Sequence, residues 1–232
     1  MSPLARCVTG GGGGIRGAAA SNDAGPYPPR VPRPTLIFDL GGVLVDWDPR
    51  YLMAGVIEDP ERLEWFLAHV CSAEFTAGVD RGQPFAEAVA RRSARFPAWA
   101  TEIETYARRW PEMVRGALAG TEELLRDLHA AGAPLTALSN WPADTFWVAR
   151  ERFGVLEVFS DVVVSGFVGL AKPDPEIYRL ALSRSGLRAP DCAFVDDRAE
   201  NVDAAVALGI EGIRFTDAAA LRRHPTVARW LG

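Results

Sequence analysis

Short runs of consecutive apolar residues, rich in β-branched side chains, recur at Thr35 to Phe38, Val43 to Val45, Pro134 to Leu138, Asp161 to Val164, Cys192 to Val195 and Gly212 to Phe215. They lack strict apolar–polar alternation, so each reads as a strand buried on both faces, as in a parallel sheet. Between the later runs lie helix-period stretches, Thr121 to Ala131, Ala143 to Phe153, Pro175 to Ser185 and Ala199 to Leu208, followed by glycine stops at Gly132, Gly154, Gly186 and Gly209. Strand and helix in alternation predict an α/β fold, a Rossmann-like parallel sheet flanked by helices.

Two segments break this rhythm. Residues 1–33 hold seven glycines, five of them consecutive from Gly10 to Gly14, and five prolines, with too little apolar surface to offset ordering entropy. They are expected to form a disordered tail. The stretch from Asp46 to Gly120 shows helical patterns only, at Pro60 to Val70, Pro84 to Phe96 and Trp99 to Val114. The predicted organisation is therefore a tail over 1–33, a core over 34–45 and 121–232, and an inserted all-helical cap over 46–120. Because the insert follows the first strand directly, where loops at strand carboxyl ends build ligand sites, it is expected to act as a lid.

Charge narrows the partners. The chain carries 25 Lys plus Arg against 30 Asp plus Glu, a formal net charge of −5. The tail accounts for four Arg and one Asp, which leaves −8 on the remainder. Neither nucleic acid nor an anionic membrane is expected to bind, since both need clustered basic charge. Cys7, Cys71 and Cys192 are an odd number with no metal-ligand spacing to His69, His129 or His224, which suggests a reducing compartment. With no export-type apolar segment visible, a cytoplasmic location is expected. Nothing in the sequence sets the oligomeric state.

Polar residues stand at the ends of four apolar runs or just beyond them: Asp39, Ser139, Lys172, and the pair Asp196 and Asp197. Strand ends converge in a parallel sheet, so these residues should meet at one edge. An exposed acid after a buried strand, followed by Gly41 and Gly42, is suited to act as nucleophile or metal ligand. Taken singly, each is as well explained as a turn former or helix cap. Their joint order carries the argument.

In that order the chain resembles the haloacid dehalogenase superfamily of hydrolases, most of which are phosphatases, over nearly all of residues 34–232. FDLGGVLVDWDP resembles the first family motif, LTALSN the second, the lysine of AKPDPEIY the third and FVDDRAENVDAAVALG the fourth. The resemblance implies that Asp39 attacks phosphorus and becomes an aspartyl-phosphate that water hydrolyses, with Lys172 as the second catalytic residue. It implies that Ser139 and Asn140 bind the phosphoryl group. It further implies a Mg²⁺ ion held by Asp39, the Gly41 carbonyl, Asp196 and Asp197, a cation that three converging carboxylates facing one lysine also call for. The expected partner is a small phosphorylated molecule, and a branch with similar first motifs includes sugar-phosphate phosphatases.

One departure is chemically important. In most family phosphatases an acid two residues after the nucleophile protonates the leaving alcohol, and here that position is Gly41. Compensation is expected from Asp46, Asp48 or Arg50, from water, or from a good leaving group such as that of a sugar 1-phosphate. The same gap keeps two alternatives open: a 2-haloacid dehalogenase using the same Asp nucleophile, and a non-catalytic protein that binds a phosphorylated ligand or partner. The acidic pair Asp196–Asp197 argues against a haloacid carboxylate.

Other features weigh less. Trp47 and Trp141 flank motifs and could stack on a substrate ring, although tryptophans in helical patterns usually pack. The cluster Arg91, Arg92 and Arg95 reads as a solvated helix face. Asp174, Pro175 and Glu176 read as a helix start that fixes Lys172. Of the 25 bases only Lys172 is a lysine, so its place in the third motif is not a matter of surface charge.

Overall fold

A computed structural model describes residues 33–232 of the 232-residue chain. The expected tail, but for Arg33, lies outside the described residues. The described residues form seven strands: β1 (Thr35–Phe38), β2 (Val45–Trp47), β3 (Val114–Ala117), β4 (Leu135–Ser139), β5 (Val162–Val164), β6 (Cys192–Asp196) and β7 (Glu211–Arg214). Five form a parallel sheet in the order β5-β4-β1-β6-β7. The central strands β1, β4 and β6 are buried at every residue, which is why their sequences run apolar without alternation.

Alternation persists in where the side chains go. Leu36 and Phe38 join a large apolar cluster with Leu135, Ala137, Val195 and Ile213, whereas Ile37 joins a second with Leu138 and Phe194. Each cluster lies on one face of the sheet. Met53, Phe66, Ile103 and Tyr106, from the residues between β2 and β3, belong to the first cluster. Fully burying side chains of this size contributes roughly 1.5–3 kcal/mol each, so the insert is bound into the same core as the sheet.

Helices flank the sheet at Thr121–Ala130, Phe146–Arg152, Pro175–Arg184 and Ala199–Ala207, within the expected segments. Gly132 follows the first of these at φ +77°, a left-handed stop that other residues adopt only with strain. The insert is helical, but it is entered and left through the antiparallel pair β2–β3; of Val43 to Val45, expected as a strand of the parallel sheet, Val43 and Leu44 form a turn and Val45 opens β2. The helix expected over Trp99–Val114 is shorter, Ala100–Arg108. Pro111 disfavours continuation, and a 3₁₀ turn at Trp110–Met113 leads into β3. A further helix, Ala73–Asp80, was not foreseen. Among the described residues no helix is long and apolar enough to cross a membrane.

Candidate active site

Asp39 follows β1 directly, and its N–H donates to the Val195 carbonyl of β6 at 2.9 Å. The residue is buried at the carboxyl edge of the sheet. Its Oδ1 accepts the Leu40 N–H at 2.6 Å, and its Oδ2 lies 2.9 Å from Lys172 Nζ. Lys172 Nζ also donates to Asp196 Oδ2 at 2.7 Å and sits 5.3 Å over the Phe194 ring. One buried ammonium thus joins the ends of β1 and β6. Burial pushes the Asp39 carboxyl up to about 7 despite the opposing pull of Lys172, with the Asp196 charge adding to the rise.

Lys172 reaches this position from the turn before the Pro175–Arg184 helix. Asp174 caps that helix by accepting the Glu176 N–H at 3.0 Å, with Pro175 in the first turn, as expected from the sequence. The Lys172–Pro173 peptide bond is cis. From β4, Asn140 Nδ2 donates to the Lys172 carbonyl at 2.9 Å, and the Lys172 N–H donates to Asn140 Oδ1 at 2.8 Å. The Asn140 amide therefore holds Lys172. Ser139 lies fully buried at the end of β4, and its Oγ has no hydrogen-bond partner.

The acidic pair after β6 divides its labour. Asp196 Oδ1 accepts the Arg198 N–H at 2.8 Å and Asn201 Nδ2 at 3.0 Å, while Oδ2 accepts Lys172 Nζ and Asn201 Nδ2. Both oxygens are engaged. No described side chain donates to Asp197, whose carboxyl is raised by burial and by the Asp196 charge. It packs against Gly42: a Cβ there would come 2.6 Å from Asp197 Oδ2, and the φ of +73° is itself one that favours glycine.

One carboxylate oxygen from each of Asp39, Asp196 and Asp197 lies within 4.8 Å of the others. Three hard oxygen donors at that spacing fit a small divalent cation such as Mg²⁺. Among the described residues the Gly41 carbonyl accepts no backbone hydrogen bond.

Asp39, Gly41, Asn140, Lys172 and Asp197 form the floor of a cavity of about 330 Å³, with Asp196 buried beneath it. Its wall is aromatic, with Trp47, Phe85, Tyr106, Trp110 and Trp141. Trp110 stands between Trp47, stacked at 6.2 Å between centroids, and Trp141 at 5.4 Å. Asp46, Asp48 and Arg50, the side chains expected to replace the missing acid, do not line the cavity. Asp46 accepts from Tyr51, while Arg50 is bonded to Glu64 and Asp48. Asp80, which the sequence patterns did not single out, does line the cavity, from the end of the unforeseen Ala73–Asp80 helix.

Comparison with known proteins agrees with this geometry. A family model described as haloacid dehalogenase-like hydrolase matches residues 34–209. A sesquiterpene phosphatase of Aspergillus oryzae is 30% identical over 185 residues, spanning 79% of this chain and 90% of that protein. A flavin mononucleotide hydrolase of Arabidopsis thaliana is 32% identical over 108 residues, spanning 46% of this chain and 43% of that protein. A HAD family enzyme of Bacteroides thetaiotaomicron, solved as a magnesium complex, superimposes with a TM-score of 0.64 at 20% identity, over 83% of this chain and all of that one. The strand-end constellation and the family match together establish that this chain belongs to the haloacid dehalogenase-like hydrolases.

Proposed function

We propose that the chain is a Mg²⁺-dependent phosphomonoester hydrolase acting on a small phosphorylated metabolite, with Asp39 as the nucleophile and residues 46–120 as the lid. The observation that carries this reading is the buried knot of Asp39, Lys172 and Asp196 with Asp197 beside it. A dianionic phosphoryl group approaching Asp39 needs positive charge, and Lys172 supplies it without leaving its carboxylate partners. Asp39, Asp197, Asp196 and the Gly41 carbonyl would hold Mg²⁺. Asp197 is the most available of the carboxylates, since Asp196 is already committed to Lys172, Arg198 and Asn201. When bound, the cation offsets the burial cost that raises Asp39 and neutralises phosphoryl charge.

Asp39 attacks the phosphorus and the alcohol departs, leaving an aspartyl-phosphate that water then hydrolyses. The Ser139 Oγ, unpartnered and buried at the end of β4 behind the residues that line the cavity, would donate to a phosphoryl oxygen seated deep against Asp39, and Asn140 keeps Lys172 in register with Asp39. A cavity of about 330 Å³ fits a small substrate, and the indoles of Trp47, Trp110 and Trp141, with Trp141 tilted 55° to Trp110, offer an apolar wall to its alcohol part, such as one face of a sugar ring. The relatives named as a sesquiterpene phosphatase and a flavin mononucleotide hydrolase support the reaction class.

The test is phosphate release from a panel of aryl, sugar and prenyl phosphates with Mg²⁺ present. Turnover that disappears in Asp39→Asn, with the fold retained, is expected. Chloride release from 2-chloropropionate in EDTA would instead establish the dehalogenase alternative. Tight binding of a phosphate ester without turnover would establish the non-catalytic one.

A further inference from the structure

Gly41 leaves the reaction without the usual proton donor, and the structure shows what stands in the space. A Cβ built on Gly41 meets nothing within 4 Å, so the cavity is open on that side of Asp39. Three carboxyl groups line the cavity: Asp39, Asp197 and Asp80. The first two belong to the floor. Asp80 alone comes from the insert, as the last residue of the Ala73–Asp80 helix, and among the described residues its carboxyl makes no hydrogen bond or ion pair. Asp46 and Asp48, the acids nearest the entry to the insert, are engaged elsewhere.

We propose that Asp80 is a catalytic residue of this enzyme, the general acid that protonates the leaving alcohol in place of the acid missing at Gly41. The proposal rests on the phosphatase reading. As the Asp39 carboxylate forms its bond to phosphorus, the bond from phosphorus to the ester oxygen breaks, and the Asp80 proton passes to that oxygen to give the free alcohol. In the second step water attacks the same phosphorus and gives its proton to the Asp80 carboxylate. The Asp39–phosphorus bond breaks and inorganic phosphate leaves, with Asp39 ionised and Asp80 protonated as at the start. Without a donor on the floor, the lid must bring one.

The surroundings suit that task. Burial raises the Asp80 carboxyl to about 7, against Lys172 and Arg198 from the core and Arg81 beside it, which pull it down. Both forms are therefore populated at neutral pH, as a group that gives and then retakes a proton requires. The other titratable groups facing the same space are Asp39, Asp197 and Tyr106. The Tyr106 hydroxyl is buried without a partner among the described residues, and burial raises it well above its ordinary value, so it gives up a proton far less readily than Asp80.

The test compares release of the alcohol in the first turnover from an alkyl phosphate and from p-nitrophenyl phosphate, whose leaving group needs little protonation. In Asp80→Asn the alkyl ester is expected to slow by roughly 10²–10⁴, the size of a general-acid contribution, and the aryl ester by less than about tenfold. The wild-type alkyl rate should fall as pH rises through about 7, where the proton is lost, and this fall should vanish in the variant. Asp80→Ser is measured in parallel, and a p-nitrophenol burst of one per site shows that the altered site is folded. Equal slowing of the two esters in both variants, or no slowing of the alkyl ester, overturns the proposal. If the wild-type protein releases phosphate from neither ester, the phosphatase reading itself falls.

Discussion

Asn140 grips the main chain of Lys172 from both sides, donating to its carbonyl at 2.9 Å and accepting its N–H at 2.8 Å. The two residues are 32 apart in sequence. A side chain from the end of one strand thus fixes the backbone from which the cation of the site extends. Asn140→Ala should lower kcat by about 10²-fold through displacement of the ammonium, more than it raises KM. Asn140→Asp, which keeps the acceptor and loses the donor, should fall between. Steady-state kinetics of the two variants on one ester check this.

Lys172 presents a single nitrogen to two carboxylate oxygens at 2.9 and 2.7 Å. A guanidinium is planar and larger and cannot occupy that point, so Lys172→Arg should lose most of the activity. Lys172→Ala leaves Asp39 and Asp196 buried without their counter-charge. A loss of roughly 3–5 kcal/mol in denaturant unfolding is expected.

Asp196 and Asp197 should separate under mutation. Asp197→Asn should raise the Mg²⁺ concentration for half-maximal activity at least tenfold while leaving the unfolding midpoint close to wild type. Asp196→Asn should lower that midpoint as well, because it disturbs bonds to Lys172, Asn201 and the Arg198 N–H. Equal effects of the two on Mg²⁺ and on unfolding would count against the division.

Gly42→Ala adds a methyl group 2.6 Å from Asp197 Oδ2 at a φ of +73°. The left-handed backbone alone costs about 1–2 kcal/mol. Thermal unfolding should therefore drop by a few degrees, and the displaced Asp197 should weaken the Mg²⁺ response of activity together with stability.

What the sequence made legible follows from burial. Strands enclosed on both faces must be apolar throughout, so β1, β4 and β6 announced themselves, and with them the positions of Asp39, Ser139 and Asp196. Lys172 and its following helix were marked by Asp174 and Pro175. The ribbon β2–β3 was not visible, because its short strands carry Asp46, Arg115 and Gly116 and have one partner each. The Ala73–Asp80 helix was hidden for a similar reason: Gly78 interrupts it and Ser72 makes no side-chain cap. Phe75 and Val79, four residues apart and both buried, were the available signal. Missing that helix meant missing Asp80. The Asn140–Lys172 clasp has no local pattern at all, since it exists only once β4 and the turn before the Pro175–Arg184 helix are side by side.

The order β5-β4-β1-β6-β7 places the first of the described strands at the centre of the sheet. β1 is complete by Phe38, yet its two neighbours begin at Leu135 and Cys192. During synthesis its apolar residues and both of its unpaired edges must wait until β4 and β6 have been made, the interval in which strand edges invite aggregation. Asp39 inherits that delay. A nascent chain that has emerged only through the insert carries the nucleophile but neither the lysine nor the paired acids, so chemistry and a closed central sheet arrive together, once β6 has been made.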